Sequence, residues 1–377
     1  MQFHNPTRIM FGSGSINKLG ETVEELRSVR PFLITDEGIE KAGIANQVLS
    51  QLEGIPVFST IEPNPKHSTV DRAGEVAREQ KSDLIIGLGG GSVLDAAKAV
   101  ALLGTNQGII EDYEGRDKYN NPPLPVLAIP TTCGTGSEVT WVAVITHTGR
   151  KFKMSIKGRL MYPVAALVDP DLLRTLPAHL VASTGCDALT HAVEAYTVKA
   201  ATFITDVFAR EALKFIFGSL EAAYKDIGEN TEAREDIMRG SLLAGLAFGN
   251  SDVGAVHCLA EAVGSLYDTP HGVANSVLLP YVMEFNLPAS AERYADIACI
   301  AGISEADNTR AAQKLISMIK DLSRSLGIPT FGEIGITEEA FPEIAQKSFE
   351  NNSNPSNPRE ANAADYLDIL SRAFLDA

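Results

Sequence analysis

Cysteine is scarce in this 377-residue chain. Cys133, Cys186, Cys258 and Cys299 are all there is, widely spaced and with no C-x-x-C pair. That pattern excludes a disulfide framework and a zinc knuckle and fits a reducing cytoplasm. Long apolar runs are missing too; none approaches the roughly 18 to 20 residues that span a bilayer. The first residues, Met1 to Arg8, lack a charged stretch leading into an apolar core, which argues against secretion. Positive charge is in short supply: 32 Lys and Arg face 48 Asp and Glu, for a net −16 and a pI near 4.9. Such a chain repels phosphate backbones and anionic lipid, so neither nucleic acid nor membrane is expected as a partner. Internal repeats, heptads and low-complexity tracts are absent, and the loop-rich stretch at 351–358 is too short for a domain linker.

What is present is an ordinary globular composition, 45% hydrophobic and 21% charged, long enough for two domains at about 150 residues each. The first half alternates short apolar runs with helical spacing. Pro31-Phe32-Leu33-Ile34-Thr35, Ile55 to Phe58, Asp83 to Leu88 and Val126 to Ile129 read as strands, with helices at 68–81 and 96–103. Continuous apolar strands imply burial on both faces, as in a parallel sheet with helices around it. Val142 to Ile145, Phe152 to Ile156 and Ala165 to Val168 are the last strand-like runs. From about Pro177 only helical periodicity follows, at 182–198, 205–224, 233–248, 253–266, 291–301 and 309–325. The expected organisation is an α/β domain over 1–178 and an all-helical domain over 179–377.

Two loops in the first half carry chemistry. Gly87-Leu88-Gly89-Gly90-Gly91-Ser92 lies between a predicted strand and a predicted helix. It serves either as a phosphate cradle, in which amides and the helix N-terminus face an anion, or simply as a tight turn. Ser92 stands where a G-x-G-x-x-G run would place its third glycine. Pro130-Thr131-Thr132-Cys133-Gly134-Thr135-Gly136-Ser137-Glu138 also follows a strand; its hydroxyls suit phosphate or ribose, or else cap a helix with Glu138 in the first turn. Both lie at carboxyl ends of parallel strands, where open α/β sheets bind ligands. Asp36, just past the first of these strands, either accepts from a ribose hydroxyl or caps the next helix.

The second half holds a metal-type constellation. Asp187 and His191 are i and i+4 on a helical pattern and share one face. His257 and His271 are two more of only seven histidines, both in helix-rich, apolar surroundings. One carboxylate and three imidazoles suit Fe2+, Zn2+, Mn2+ or Co2+. Cys258, beside His257, points to another face of its helix and reads as packing.

In order along the whole chain, these segments resemble the iron-containing (group III) alcohol dehydrogenases. The matching residues are Gly89-Gly90-Gly91-Ser92-x-x-Asp95-x-x-Lys98, Ile129-Pro130-Thr131-Thr132 to Glu138, and Gly185-x-Asp187-Ala188-Leu189-x-His191-x-x-Glu194. His257, Pro270-His271-Gly272-x-x-Asn275 and Asn357-Pro358-Arg359 complete the set. The resemblance implies a dinucleotide-binding α/β domain followed by an all-α metal domain, the dehydroquinate synthase-like architecture, with the active site between them. It implies the metal ligands Asp187, His191, His257 and His271. It implies NAD contacts at Asp36, Gly90, Gly91, Ser92, Asp95, Thr131, Thr132 and Lys153, with Asp36 favouring NAD over NADP. Fe2+ is the expected ion, with Zn2+ or Mn2+ as alternatives, and a homodimer or larger homo-oligomer is the expected assembly. The implied reaction is hydride transfer between NAD and a small primary alcohol or aldehyde, the metal acting as a Lewis acid. A glycerol-dehydrogenase-like polyol oxidoreductase and a catalytically silent nucleotide-binding relative are the competing readings.

The chain departs from the family at one position. Relatives carry a second histidine four residues after the first, and here that residue is Glu261. Being i+4 from His257, it is expected to face the same site and to relay a proton, bind the metal or select substrate; the plainer alternative is a solvated helix-face glutamate. Glu261 and His257 are the expected catalytic pair.

Overall fold

The computed structural model describes residues 2–376. They form two compact units. One comprises Asn5–Thr132 and Gly136–Leu176; the other comprises the chain from Pro177 on, with Cys133–Thr135 and the first residues up to His4.

The first unit contains strands β1 (Arg8–Phe11), β2 (Pro31–Ile34), β3 (Val57–Phe58), β4 (Leu84–Gly89), β5 (Gly115–Arg116), β6 (Val126–Pro130), β7 (Val142–His147), β8 (Phe152–Lys157) and β9 (Ala165–Val168). Its helices are α1 (Leu19–Glu25), α2 (Glu37–Lys41), α3 (Ile44–Leu49), α4 (His67–Glu79) and α5 (Gly91–Thr105). Six strands form a wholly parallel sheet in the order β1-β9-β6-β4-β2-β3. Every residue of β2, β4, β6 and β9 is buried, which is why their sequences are continuously apolar rather than alternating. Burying each such Leu or Ile side chain contributes about 1.5–3 kcal/mol. The edges read less clearly. β1 lacks a sequence prediction of its own, and β3 is only two residues long because Pro56 has no amide to extend the ladder.

The strand-like runs after 140 divide between two sheets. β9 joins the parallel sheet, whereas β7 and β8 pair antiparallel and form a separate three-stranded sheet with β5.

The second unit contains helices α6 (Ala178–Thr197), α7 (Phe203–Asp226), α8 (Thr231–Ser251), α9 (Ala255–Tyr267), α10 (His271–Ile300), α11 (Asn308–Ser325), α12 (Phe341–Glu350) and α13 (Ala363–Leu375). The predicted segment at 291–301 is only the end of α10, a 30-residue helix that runs through Pro280 and Pro288. Helices α12 and α13 go beyond the predicted set. All four cysteines are free. No single helix among the described residues is long and apolar enough to cross a membrane.

Candidate active site

The strand order explains why three distant sequence segments meet. β2 continues outward to β3, while the next parallel strand, β4, lies on the other side of β2. The direction of winding therefore reverses between β2 and β4, where open α/β sheets accept ligands at the carboxyl ends of their strands. Asp36 follows β2, Gly90-Gly91-Ser92 follows β4, and Thr131-Thr132 follows β6; β2, β4 and β6 lie in adjacent positions. The loops after β4 and β6 abut. The Thr131 amide donates to Gly89 O at 3.0 Å, and a Cβ on Gly90 would lie 3.0 Å from Thr132 Cγ2. Among the described residues no side chain caps α5, which leaves its N-terminal amides without a capping acceptor.

Asp36 caps α2 through Oδ1, which accepts from the Ile39 amide at 3.0 Å. Asp95 holds the neighbouring loop: it accepts from Ser137 Oγ at 2.6 Å and from the Val144 amide at 2.9 Å, and it pairs with Lys98 Nζ at 3.2 Å. Lys98 is buried and donates to Ser137 O, Val142 O and Thr140 Oγ1. Beside it, burial pushes the Glu138 carboxyl up to about 7, its own backbone hydrogen bond and the Lys98 charge only partly opposing the rise. Lys153 is on β8, where its Nζ donates to Asn64 Oδ1 at 2.9 Å.

The helical unit brings together the four residues expected to bind metal. Asp187 and His191 project from one face of α6, His257 comes from α9 and His271 opens α10. One donor atom from each lies within 4.8 Å of all the others. His257 Nε2 is 3.0 Å from His191 Nε2, and Asp187 Oδ1 is 3.9 Å from both His191 Nδ1 and His271 Nε2. The convergence depends on Gly272. A Cβ there would lie 2.3 Å from the carbonyl oxygen of Ser183 and 3.3 Å from Asp187 Cβ, so only glycine lets α10 start against α6.

Two residues in the matching motifs, to which sequence alone gives no role, support this cluster. Glu194, one turn beyond His191 on α6, accepts from His257 Nδ1 at 2.5 Å and from the Val256 amide at 2.8 Å. With Nδ1 so committed, His257 presents Nε2 to the cluster. Asn275 Nδ2 donates to Asp187 Oδ1 at 2.7 Å and lies 3.2 Å from both His257 Nε2 and His271 Nε2. A H-x-x-E spacing is the signal that could have flagged Glu194. The C-terminal Asn357 braces the same helix: its Oδ1 accepts from the Ala255 amide, in the first turn of α9, at 3.2 Å.

Protonation suits a cation at His191 and Asp187. Burial pushes the His191 imidazole down to about 4, so it is neutral near pH 7. Burial works against the Asp187 charge, but His191, His271 and His257, with the Asn275 hydrogen bond, hold its carboxyl below the usual range. Burial also opposes charge on His257; Glu194 outweighs it, with Asp187 and Glu261 adding to the rise. Neutral imidazole and ionised carboxylate are the ligating forms. Among the described residues, buried His191 Nδ1 has no hydrogen-bond partner. One oxygen and three nitrogen donors at this spacing fit a borderline divalent ion.

Glu261 lies one turn along α9 from His257, half-buried, and its Oε2 accepts from Asn351 Nδ2 at 2.7 Å. The group of four donors forms without it.

Comparison with known proteins decides the family. The model of iron-containing alcohol dehydrogenase matches residues 6–170, and that of the Fe-containing alcohol dehydrogenase family, C-terminal, matches 181–374. The chain belongs to the iron-containing alcohol dehydrogenases. It is 39% identical to 1,3-propanediol dehydrogenase of Klebsiella pneumoniae, over 98% of this chain and 97% of that one. It is 36% identical to NAD-dependent methanol dehydrogenase of Bacillus methanolicus, over 99% of both. The crystal structure of a 1,3-propanediol oxidoreductase superposes with a TM-score of 0.95 at 39% identity, covering 99% of each chain. Its fold is that of this family throughout: a parallel-sheet unit followed by a helical one.

Proposed function

We propose that this iron-containing alcohol dehydrogenase transfers hydride between NAD(H) and a small primary alcohol or aldehyde at a site built on Asp187, His191, His257 and His271, with Fe2+ as its native ion. The observation that carries this reading is the approach of one oxygen and three nitrogen donors to within 4.8 Å of one another in a chain of this family.

When bound, the cation supplies Lewis-acid polarisation of the substrate oxygen and the nicotinamide supplies the redox chemistry. The remaining work falls to the chain. Glu194 fixes the tautomer and orientation of His257. The open amides at the start of α5, at Gly90, Gly91 and Ser92, receive the dinucleotide phosphates, and Thr131 and Thr132 offer hydroxyls beside them. Asp36 repels a 2′-phosphate and so favours NAD, while Asp95 and Lys98 keep the second loop in place. Lys153 completes the nucleotide contacts. Glu261 accepts the proton released in alcohol oxidation and passes it to solvent. The four free cysteines support a cytoplasmic location, and a homodimer or larger homo-oligomer completes the proposal.

The test is aldehyde-dependent oxidation of NADH by chelator-stripped protein, with Fe2+, Zn2+ or Mn2+ restored in the absence of oxygen. Propionaldehyde and lactaldehyde form the first panel. Turnover recovered best with Fe2+ is expected. NADH binding without turnover under any ion would sink the proposal and favour a silent nucleotide-binding protein.

A further inference from the structure

We infer that Asn275 is a positioning residue of the metal site, holding the Asp187 carboxylate for the cation. The inference rests on the four-ligand reading above. Asn275 is completely buried. Its Nδ2 reaches Asp187 Oδ1 at 2.7 Å and stands 3.2 Å from both His257 Nε2 and His271 Nε2, touching three of the four donor residues from three different helical positions. Its Oδ1 has no hydrogen-bond partner among the described residues.

These two halves of one amide point in opposite directions energetically. A buried carbonyl without a donor is a cost to folding, whereas the N–H satisfies a buried carboxylate that an apolar side chain of the same shape would leave without its donor. The donor half explains the asparagine. Its N–H fixes which carboxylate oxygen of Asp187 faces the imidazoles and tempers the charge of a buried carboxylate placed for a cation. Such partners of ligating carboxylates typically set metal affinity by about 10–100-fold.

The experiment compares wild-type protein, Asn275→Leu and Asn275→Ala, each stripped of metal, by titration with Co2+ followed through its visible absorption, and by thermal melting before Co2+ is added. For Asn275→Leu the expected result is Co2+ affinity weaker by about 10–100-fold and altered visible bands, with metal-free melting lowered because the buried Asp187 carboxylate loses its donor. Asn275→Ala should show the same loss of affinity even where the cavity it leaves lowers its melting temperature. Wild-type affinity and bands in both variants would overturn the inference and make Asn275 a packing residue. Failure of the wild-type protein to bind Co2+ would instead remove the four-ligand reading, and the inference with it.

Discussion

His257 and Glu194, 63 residues apart, are joined by a 2.5 Å contact from Nδ1 to Oε2. The same carboxylate accepts the Val256 amide through Oε1 at 2.8 Å. One side chain of α6 thus fixes both the ring of His257 and the turn of α9 that carries it. Glu194→Ala should lower metal affinity by about 10–100-fold, because the ring loses its enforced tautomer. It should also destabilise the protein by roughly 1–3 kcal/mol through the buried donors left unpaired. Metal content after dialysis against graded chelator reads the first effect. Full retention at wild-type chelator concentrations would show that His257 needs no such support.

Glu138 predicts a pH dependence in the α/β unit. Burial raises its carboxyl from an ordinary 4.5 to about 7. Between those values the folded state holds a proton that the unfolded state has lost, so stability falls as pH rises through the window and levels off above it. A shift of this size corresponds to an effect on the order of 3 kcal/mol. Glu138→Gln keeps the shape and removes the titration. The stability difference between variant and wild type, from denaturant midpoints, should grow in the variant's favour from pH 5 to pH 8. A difference that stays flat across that range would mean that Glu138 remains ionised beside Lys98.

The legible parts of this molecule are those whose signal is local. β2, β4 and β6 show in the sequence because burial on both faces makes their runs uniformly apolar. β1 and β5 are short, partly exposed segments without that signature. Pro280 and Pro288 interrupt the helical pattern of α10, so its first two-thirds escape prediction although packing carries the helix through both. The site divides in the same way. Asp187 and His191 are legible as a pair because a single helix sets their spacing. The approach of His257 and His271 is not, since it depends on α9 and α10 packing against α6 and on the small size of Gly272. Glu194 and Asn275 acquire their roles only through those tertiary contacts.

Asp36 caps α2 through Oδ1, a structural role separable from its proposed role in cofactor choice. Serine is as good a cap as aspartate, so Asp36→Ser should change stability by no more than about 0.5 kcal/mol. It removes the charge that would face a 2′-phosphate, a repulsion of roughly 1–4 kcal/mol at close range. The NADP-to-NAD ratio of kcat/KM should rise by about tenfold or more. An unchanged ratio would leave Asp36 as a helix cap and nothing else.

In the proposed reaction Glu261 moves a proton and lies outside the group of four donors. It lies one turn from His257, raises that residue's affinity for a proton, and has its own carboxylate oriented by Asn351. Glu261→Gln preserves an acceptor for Asn351 but cannot be protonated. Loss of a proton-transfer group typically costs about 100-fold or more, so kcat for alcohol oxidation near neutral pH should fall by about that factor while metal content and NADH affinity stay at wild-type values. The neutral side chain should also lower KM for an anionic aldehyde relative to an uncharged one, since a negative charge beside the substrate is gone. A variant with wild-type kcat and an unaltered preference between the two aldehydes would place Glu261 outside the reaction, as a helix-face carboxylate held by Asn351, and would route the proton through water.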